Sequence, residues 1–199
     1  PPNWPSPTEW KALQQNASKL LERHDASSIR SLSVFHPEYP EALRQIPDAP
    51  VILFIKGTYL PLDARSLAIV GTRDPTPMGM ENTRQLVEGL SSYQCTIVSG
   101  LARGIDAQAH HSALHMGLPT WAVLAHGLHT VHPRENQALA ERILGDGGAW
   151  FSEWPLGTPP TPGAYPRRNR IIAGLTEGTV VIEAAIKSGA GITAHLAHQ

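Results

Sequence analysis

The chain has 199 residues, 41% of them hydrophobic, and a formal net charge of −1 at pH 7. This composition allows one full hydrophobic core with a small appendage, and it excludes a protein that coats nucleic acid through a strongly basic overall charge. Any polyanion must therefore meet a local basic patch. The chain shows no apolar run of membrane-spanning length and no leader of the secretory kind, and its single Cys95 excludes an internal disulfide. We expect a cytoplasmic protein with no membrane segment.

Residues 1 to 33 predict a helical appendage, or the remnant of an N-terminal module. A proline-rich lead precedes Thr8, which we expect to cap a helix. That helix carries apolar residues at helical spacing, namely Trp10, Leu13, Ala17, Leu20 and Leu21. A second short helix is expected near Ser27 to Leu32.

Residues 34 to 65 predict a proline-punctuated turn, a short helix and then a strand. The strand is the apolar run from Val51 to Ile55, and it ends at Gly57. We expect it to add an edge strand to the sheet formed by the rest of the chain.

Strands and helices alternate from Ser66 onward. The predicted strands are Leu67 to Val70, Thr96 to Val98, Trp121 to Ala125, Trp150 to Phe151 and Val180 to Ile182. The predicted helices are Met80 to Leu90, Gly104 to Met116, Glu135 to Leu144, Arg168 to Leu175 and one opening near Ser188. This alternation predicts an α/β protein in which residues 34 to 199 form an extended Rossmann-like domain, with a mainly parallel sheet and helices on both faces.

Four loops of this sheet are candidates for ligand binding, because the carboxyl ends of parallel strands meet at one edge and ligands bind there. The loops are Gly71 to Arg73, Ser99 to Asp106, Trp154 to Pro166 and Ser188 to Thr193. Glycine-rich turns at helix starts expose several amide donors together, which suits phosphate. The loops therefore predict a phosphate-binding edge.

The stretch from Tyr165 to Leu175 places three arginines, Arg167, Arg168 and Arg170, at the start of an apolar segment. With Pro166 at the helix edge, we interpret the stretch as an anion-binding helix entrance. The alternative is a solvated basic turn, or arginines that pair with carboxylates. Because neighbouring helical residues point about 100° apart, we expect one or two arginines to touch phosphate and another to pair with Glu153 or Glu183.

Other site classes have weaker support. The chain has no GxxxxGK[ST] motif, which excludes a P-loop hydrolase, and no acidic residue follows the first strand where a dinucleotide ribose needs one. Several histidines are closely spaced, namely His111 with His115, and His126 with His129 and His132. A single cysteine and no HExxH motif leave no recognised zinc pattern, so we expect no metal and no cofactor.

Three charged residues in or near these loops have more than one possible role. Arg73 either binds phosphate or pairs with Asp74 or Asp106. We interpret Glu183 as a structural partner that orients the arginines, and Asp106 as a helix cap or a ligand of backbone amides. A catalytic role for either of these carboxylates stays open. Trp154 and Tyr165 border the basic loop and are the candidates for stacking on bases.

Many separated motifs resemble the DNA-processing protein A family, also called DprA or Smf, over roughly residues 34 to 199. In the site loops they are Gly71-Thr72-Arg73, Ser99 to Asp106 with Ala109-His110, Gly127 with Pro133 and Asn136, Ser152-Glu153, Pro166 to Leu175, Glu183-Ala184, Ser188-Gly189 and Ile192 to Ala194. Upstream they are Tyr39-Pro40, Leu43, Ile46 and Lys56-Gly57. Agreement of this many motifs is highly specific.

The resemblance implies an extended Rossmann fold with no established catalytic activity. It also implies that the chain binds single-stranded DNA in a basic pocket, protects incoming DNA in natural transformation, loads the RecA recombinase and forms a homodimer. By the motif match, Arg73 belongs to the phosphate-pocket triplet and Arg134 lies at the rim. The expected DNA-phosphate-binding residues are Gly71, Thr72, Arg73, Ser99, Gly100, Arg103, Gly104, Arg134, Arg167, Arg168, Asn169, Arg170, Ser188 and Gly189.

Two further expectations concern the end of the chain and a rival function. The family's core continues past the helix near Ser188, so a chain that stops at Gln199 is expected to lack the C-terminal end of the domain and much of the dimer surface. The rival is a nucleotide phosphoribohydrolase-like enzyme, because Glu177-Gly178-Thr179 with Glu183 is distantly similar to the motif of that group. The paired glycines of that motif are replaced here by Gly174-Leu175-Thr176.

Overall fold

The structure is a computed structural model that describes residues 4–59, 65–184 and 189–196. Its strands are β1 (Ile29–Ser33), β2 (Ile52–Gly57), β3 (Ser66–Gly71), β4 (Thr96–Ser99), β5 (Thr120–Val123), β6 (Ala149–Ser152) and β7 (Gly178–Ile182). Its α-helices are α1 (Pro7–Ala26), α2 (Glu41–Gln45), α3 (Pro77–Leu90), α4 (Ile105–His115), α5 (Gln137–Gly145), α6 (Ala164–Gly174) and α7 (Gly189–Leu196). Short 3-10 helices cover Ser91–Tyr93 and Arg134–Asn136. None of the helices in the described ranges is long and apolar enough to span a membrane.

The strands form one seven-stranded sheet in the order β1-β2-β6-β5-β4-β3-β7. The five strands from β6 to β7 in this order are mutually parallel, whereas β2 runs antiparallel to β6 and β1 antiparallel to β2. These findings confirm the predicted α/β, Rossmann-like fold. The parallel strands are short apolar runs because helices cover both of their faces.

Alternate residues of the central strands divide the core between the two faces. Val123 and Phe151 pack in the cluster that contains Ile171 of α6, whereas Ala122 and Trp150 pack in the cluster of α5. Helices α3 and α4 extend the α5 side, and α2 and α7 lie with α6 on the other side. The helices therefore lie on both faces, as the alternation of strands and helices predicts.

Helix α1 begins two residues earlier than the sequence suggests. Ser6, rather than the predicted Thr8, is its N-cap, and it forms a reciprocal capping box with Glu9. The expected apolar stripe is exposed: the accessible fractions are 44% for Trp10 and 50% for both Leu13 and Leu21. Helical spacing identified the helix correctly, but this stripe does not face the sheet.

The predicted second short helix near Ser27 to Leu32 is wrong, because these residues lead into β1. Strand β1 pairs along its whole length with β2, so β2 is an interior strand and not the predicted edge strand. The expected domain boundary after residue 33 thus falls at the end of a strand of the common sheet. A strand of five residues is hard to recognise locally, because its hydrogen-bond partners come from a distant segment.

His24 connects the end of α1 to the sheet and to the loop before α6. Its ring is buried and lies 4.6 Å from the ring of Phe54. Its Nδ1 lies 3.3 Å from Oγ of Ser31, and its Nε2 accepts a hydrogen bond from the amide of Leu156 at 3.0 Å. Burial lowers the pKa of His24, so the ring is neutral at pH 7 and can accept this bond.

Candidate functional site

The five parallel strands end at one edge of the sheet, which we name the carboxyl edge. The loops that follow β3, β4 and β5 begin there, after Gly71, Ser99 and Val123. The predicted site residues lie on these loops, on the 3-10 helix at Arg134, on α6 and at the start of α7. Ser188 lies outside the described residues.

The loops after β3 and β4 are joined through their backbones. The amide of Ile105 donates to the carbonyl oxygen of Thr72 at 3.1 Å. Gly104 has a φ of +72°, and a Cβ at this position would collide with the backbones of Thr72 and Arg73. Glycine is therefore required here both for its positive φ and for the lack of space for a Cβ. The contact places the Arg73 segment directly beside the start of α4.

Two buried charged residues hold the loop after β4. The Asp106 carboxylate accepts hydrogen bonds from the amides of Gly100 at 3.1 Å and Ala102 at 3.4 Å. Arg168, which is 5% exposed, donates to the carbonyl oxygens of Gly100 at 2.7 Å and of Val123. Burial raises the pKa of Asp106, an effect opposed by the nearby Arg168 charge and by the amides. The prediction that Asp106 binds backbone amides is confirmed.

Four of the predicted arginines have exposed side chains: Arg73, Arg103, Arg134 and Arg167. Arg73 lies over the ring of Tyr165, with its Cζ 5.7 Å from the ring centroid. Arg103 pairs with Glu135 at 2.8 Å, next to Arg134. The described residues include no ion pair of Arg73, so its pairing with Asp74 or Asp106 is not observed. The exposed arginines can therefore reach an anion at the carboxyl edge.

Two further polar residues of α6, Arg170 and Asn169, are buried and bound within the protein. Arg170 donates to Asp48 at 2.9 Å and to Glu153 at 2.7 Å, and Arg167 also reaches Glu153, at 3.2 Å. Asn169 donates through Nδ2 to the carbonyl oxygen of Gly189 at 3.0 Å, which connects α6 to the start of α7. The prediction that an arginine pairs with Glu153 is confirmed.

The helix entrance differs from the prediction. Helix α6 begins at Ala164, so Pro166 lies within its first turn and Arg167 follows it. The arginines thus do not surround the free amides of a helix that starts at Arg168. Instead they project from its side, and their different directions give Arg168 a buried position and Arg167 an exposed one.

The interpretation of Glu183 as the partner of the arginines is wrong. Its carboxylate accepts hydrogen bonds from Thr76, from the amide at 2.8 Å and from the hydroxyl. Thr76 is the N-cap of α3, and the free amides at a helix start attract a carboxylate. These hydrogen bonds lower the pKa of Glu183. The residue also adopts a φ of +52°, and Gly79 leaves room for its carboxylate.

Two contacts of the site were not predicted. Asn136 donates to the carbonyl oxygens of Leu101 at 2.9 Å and Ala102 at 3.2 Å, which ties the 3-10 helix to the loop after β4. Nδ1 of His132 lies 2.9 Å from the hydroxyl of Tyr165. Both residues were visible in the sequence, Asn136 in a family motif and His132 in the histidine cluster, but neither pattern identifies a partner. The described part of the chain holds no group of His, Cys, Asp and Glu side chains that could bind a metal ion.

The mainly parallel sheet, with helices on both faces and glycine-containing loops at its carboxyl edge, defines an α/β protein of the Rossmann-like class. Within this class, the family model described as "DNA recombination-mediator protein A" matches residues 30–199. The chain belongs to this family.

The curated relatives agree. The chain is 42% identical over 191 residues to Protein Smf of Synechocystis sp., covering 92% of this chain and 47% of the relative. It is 41% identical over 163 residues to DNA processing protein DprA of Streptococcus pneumoniae, covering 82% of this chain and 57% of the relative. The chain thus spans about half the length of these relatives.

Two solved structures share the fold. The X-ray structure of DprA from Streptococcus pneumoniae has a TM-score of 0.80 at 38% identity, covering 89% of this chain and 63% of that chain. A structure described as showing the single-stranded DNA binding mode of DNA processing protein A from Helicobacter pylori has a TM-score of 0.76 at 30% identity. It covers 85% of this chain and 75% of that chain.

Proposed function

We propose that the chain binds single-stranded DNA at the carboxyl edge, mainly through phosphate groups. The observation that carries the proposal is the group of four exposed arginines, Arg73, Arg103, Arg134 and Arg167, which come from four different segments of this edge. Because the net charge is −1, a polyanion has to bind at such a local group. The solved relative from Helicobacter pylori, described by its single-stranded DNA binding mode, supports the choice of ligand.

The predicted site residues divide into two roles in this proposal. Exposed or half-buried residues contact phosphates through charged side chains or backbone amides: Thr72, Arg73, Arg103, Gly104, Arg134, Arg167 and Gly189. Ser188, which lies outside the described residues, is assigned to the same role from its place in the sequence alone. Buried or half-buried residues shape the loops beneath the DNA: Gly71, Ser99, Gly100, Arg168, Asn169 and Arg170. Buried Arg168 serves the second role because Gly100 and Val123 already engage its guanidinium. The bases would lie outward, with little sequence readout.

The description of the family as a recombination mediator supports a wider role in recombination. We propose that the protein is cytoplasmic, protects incoming single strands in natural transformation, loads the RecA recombinase and works as a homodimer. We further propose that it has no enzymatic activity. Asp106 and Glu183, the two carboxylates considered for catalysis, are occupied by hydrogen bonds to backbone amides, which favours structural roles for both.

Fluorescence anisotropy of a labelled oligothymidine tests DNA binding. The chain is titrated at two salt concentrations and against a duplex competitor. We expect salt-sensitive binding that prefers the single strand, with a logarithmic slope of about 0.7 per phosphate contacted. The variant Arg73→Ala should bind about tenfold more weakly, because a charge-assisted hydrogen bond is lost.

The matched control is Arg84→Ala. Arg84 is an exposed arginine of α3 that pairs with Glu81 and Glu88, away from the carboxyl edge, so its loss should leave affinity unchanged. Equal losses in the two variants would mean that binding follows overall charge and would contradict the site. Absence of binding by the unmodified chain at low salt would overturn the proposed function, and release of base from a nucleoside monophosphate would support the phosphoribohydrolase instead.

A further inference from the structure

Three side chains from three segments form a continuous contact at the carboxyl edge. Arg73, from the loop after β3, lies over the ring of Tyr165 on α6, with its Cζ 5.7 Å from the centroid. The hydroxyl of Tyr165 lies 2.9 Å from Nδ1 of His132, on the loop after β5. The rings of Tyr165 and His132 are 6.2 Å apart. His132 is thus joined through one side chain to Arg73, an arginine of the proposed DNA site.

This hydrogen bond determines which histidine nitrogen can meet a ligand. Tyr165 engages Nδ1, so Nε2 of the exposed His132 ring is left for contacts outside the protein. When the phenol donates to Nδ1, the neutral ring carries its hydrogen on Nε2 and presents a donor outward. When the ring is protonated, Nδ1 donates to the phenol oxygen and Nε2 still presents a donor, now with a positive charge. A phosphate oxygen is the matching acceptor.

The segment of His132, residues 124–136, holds one carboxylate, Glu135, which pairs with Arg103. The other charged and titratable groups near His132 are basic or phenolic. They are Tyr165 from α6, Arg73 from the loop after β3, and His126, His129 and Arg134 from its own segment. No carboxylate in the described ranges forms an ion pair with His132. A proton on His132 therefore lacks an ion-paired carboxylate among the described residues, and an anionic ligand is the group that would supply a counter-ion.

We infer that His132 is a further phosphate-binding residue of this site, held in place by Tyr165, and that its protonation makes the binding of single-stranded DNA tighter as pH falls. The inference rests on the proposed function and adds a residue and a pH response to it. A neutral His132 ring contributes an ordinary hydrogen bond to phosphate, and a protonated ring contributes a charge-assisted one. Tyr165 is a positioning residue, because it acts through the orientation of His132 and Arg73.

The experiment measures the affinity for oligothymidine at pH 8 and pH 5.5, at constant ionic strength. Thymine and the phosphodiester do not change protonation in this range, so a change in affinity reports on the protein. We expect the unmodified chain to bind about tenfold more tightly at pH 5.5 than at pH 8, since a charge-assisted hydrogen bond is roughly twice as strong as a neutral one. His132→Gln, which cannot be protonated, should reduce that ratio to about twofold.

Two further variants test whether the pH response comes from His132 or from histidines in general. His115→Gln removes an exposed histidine at the far end of α4, about 16 Å along the helix from the carboxyl edge, and should keep the full pH response. Tyr165→Phe retains the ring beneath Arg73 but removes the hydroxyl, so it should weaken the pH response while Arg73→Ala still reduces affinity. Thermal midpoints of all variants establish that they fold.

The outcomes separate this inference from the function on which it rests. Binding that is salt-sensitive but equal at both pH values would overturn the inference and leave the proposed function standing. A pH response that survives in His132→Gln, or that is lost equally in His115→Gln, would also overturn it. If the unmodified chain fails to bind at either pH, the proposed function fails as well.

Discussion

Arg168 and Asp106 each form a hydrogen bond with the backbone of Gly100. Asp106 accepts the hydrogen bond of the Gly100 amide at 3.1 Å, and Arg168 donates to the Gly100 carbonyl oxygen at 2.7 Å. Both charged side chains are buried beneath the loop after β4. The loop is thereby fixed before any ligand arrives, and a preorganised loop lowers the entropy cost of binding.

Replacement of Gly100 by alanine should destabilise the protein. The added Cβ would overlap the Arg168 guanidinium, so the buried arginine would have to move away from its carbonyl partners. We expect the free energy of unfolding to fall by about 1–3 kcal/mol, measured by urea denaturation. Gly89→Ala is the control, because a Cβ there meets no neighbour and alanine favours the helix. Equal midpoints for the two variants would contradict this packing.

Loss of the Glu153 carboxylate should have a larger effect. Its side chain is 7% exposed and binds Arg170, which is 9% exposed, so Glu153→Ala leaves a buried guanidinium with only the exposed Asp48 as its ionic partner. We expect a loss of about 3 kcal/mol in the free energy of unfolding. Glu41→Ala, which breaks the exposed pair with Arg44, should change the urea midpoint little. A small effect of Glu153→Ala would show that this buried pair contributes little to stability.

The N-cap of α3 provides a prediction at the other side of the site. Thr76 accepts from the amide of Gly79 at 3.1 Å and donates through its hydroxyl to Glu183. Thr76→Ala should lower the free energy of unfolding by about 1 kcal/mol, whereas Thr76→Ser keeps the hydroxyl and should retain most of the stability. Thermal unfolding of both variants makes the comparison. If Thr76→Ser is as unstable as Thr76→Ala, the methyl group of Thr76 contributes more to stability than the capping hydroxyl.

Stability should also depend on pH through His110. The ring is buried, and its Nδ1 lies 2.7 Å from the hydroxyl of Thr120, which donates to the carbonyl oxygen of Ile97. Nδ1 therefore carries a hydrogen and donates it to the hydroxyl oxygen. Burial lowers the pKa of His110 from 6.5 to about 3. Above pH 6.5 both folded and unfolded states are neutral, and between pH 6.5 and 3 only the unfolded state takes up the proton.

The contribution of His110 is thus complete above pH 6.5 and decreases as pH falls toward 3, by at most about 1.4 kcal/mol per pH unit. Urea denaturation at several pH values measures the slope. His110→Asn retains a donor toward Thr120 but cannot be protonated, so its stability should fall less steeply with acid than that of the unmodified chain. If the stability of both proteins depends on pH in the same way, other groups, such as buried His24, account for the acid sensitivity.

The alternation of strands and helices after Ser66 could be predicted from the sequence, because apolar runs and glycine turns are local signals. The site loops followed from it, since parallel strands must end at a common edge. The sequence also showed Gly100 and Gly104, but it predicted a role in ligand approach and not their close packing against Arg168 and the loop after β3. Helix bounds were less certain, and α6 begins four residues before the predicted helix.

The tertiary structure alone decided what the charged residues do. Arg168 meets the Gly100 carbonyl across 68 positions of sequence, and Glu183 meets Thr76 across 107, so no local pattern distinguishes a buried arginine from an exposed neighbour or identifies the partner of a carboxylate. The place of β1 beside β2 was decided in the same way. The sequence by itself determined which chemical groups gather at the carboxyl edge, through composition and strand order; long-range packing determined which of them remain free to bind a ligand, because burial and hydrogen bonding are properties of the folded chain.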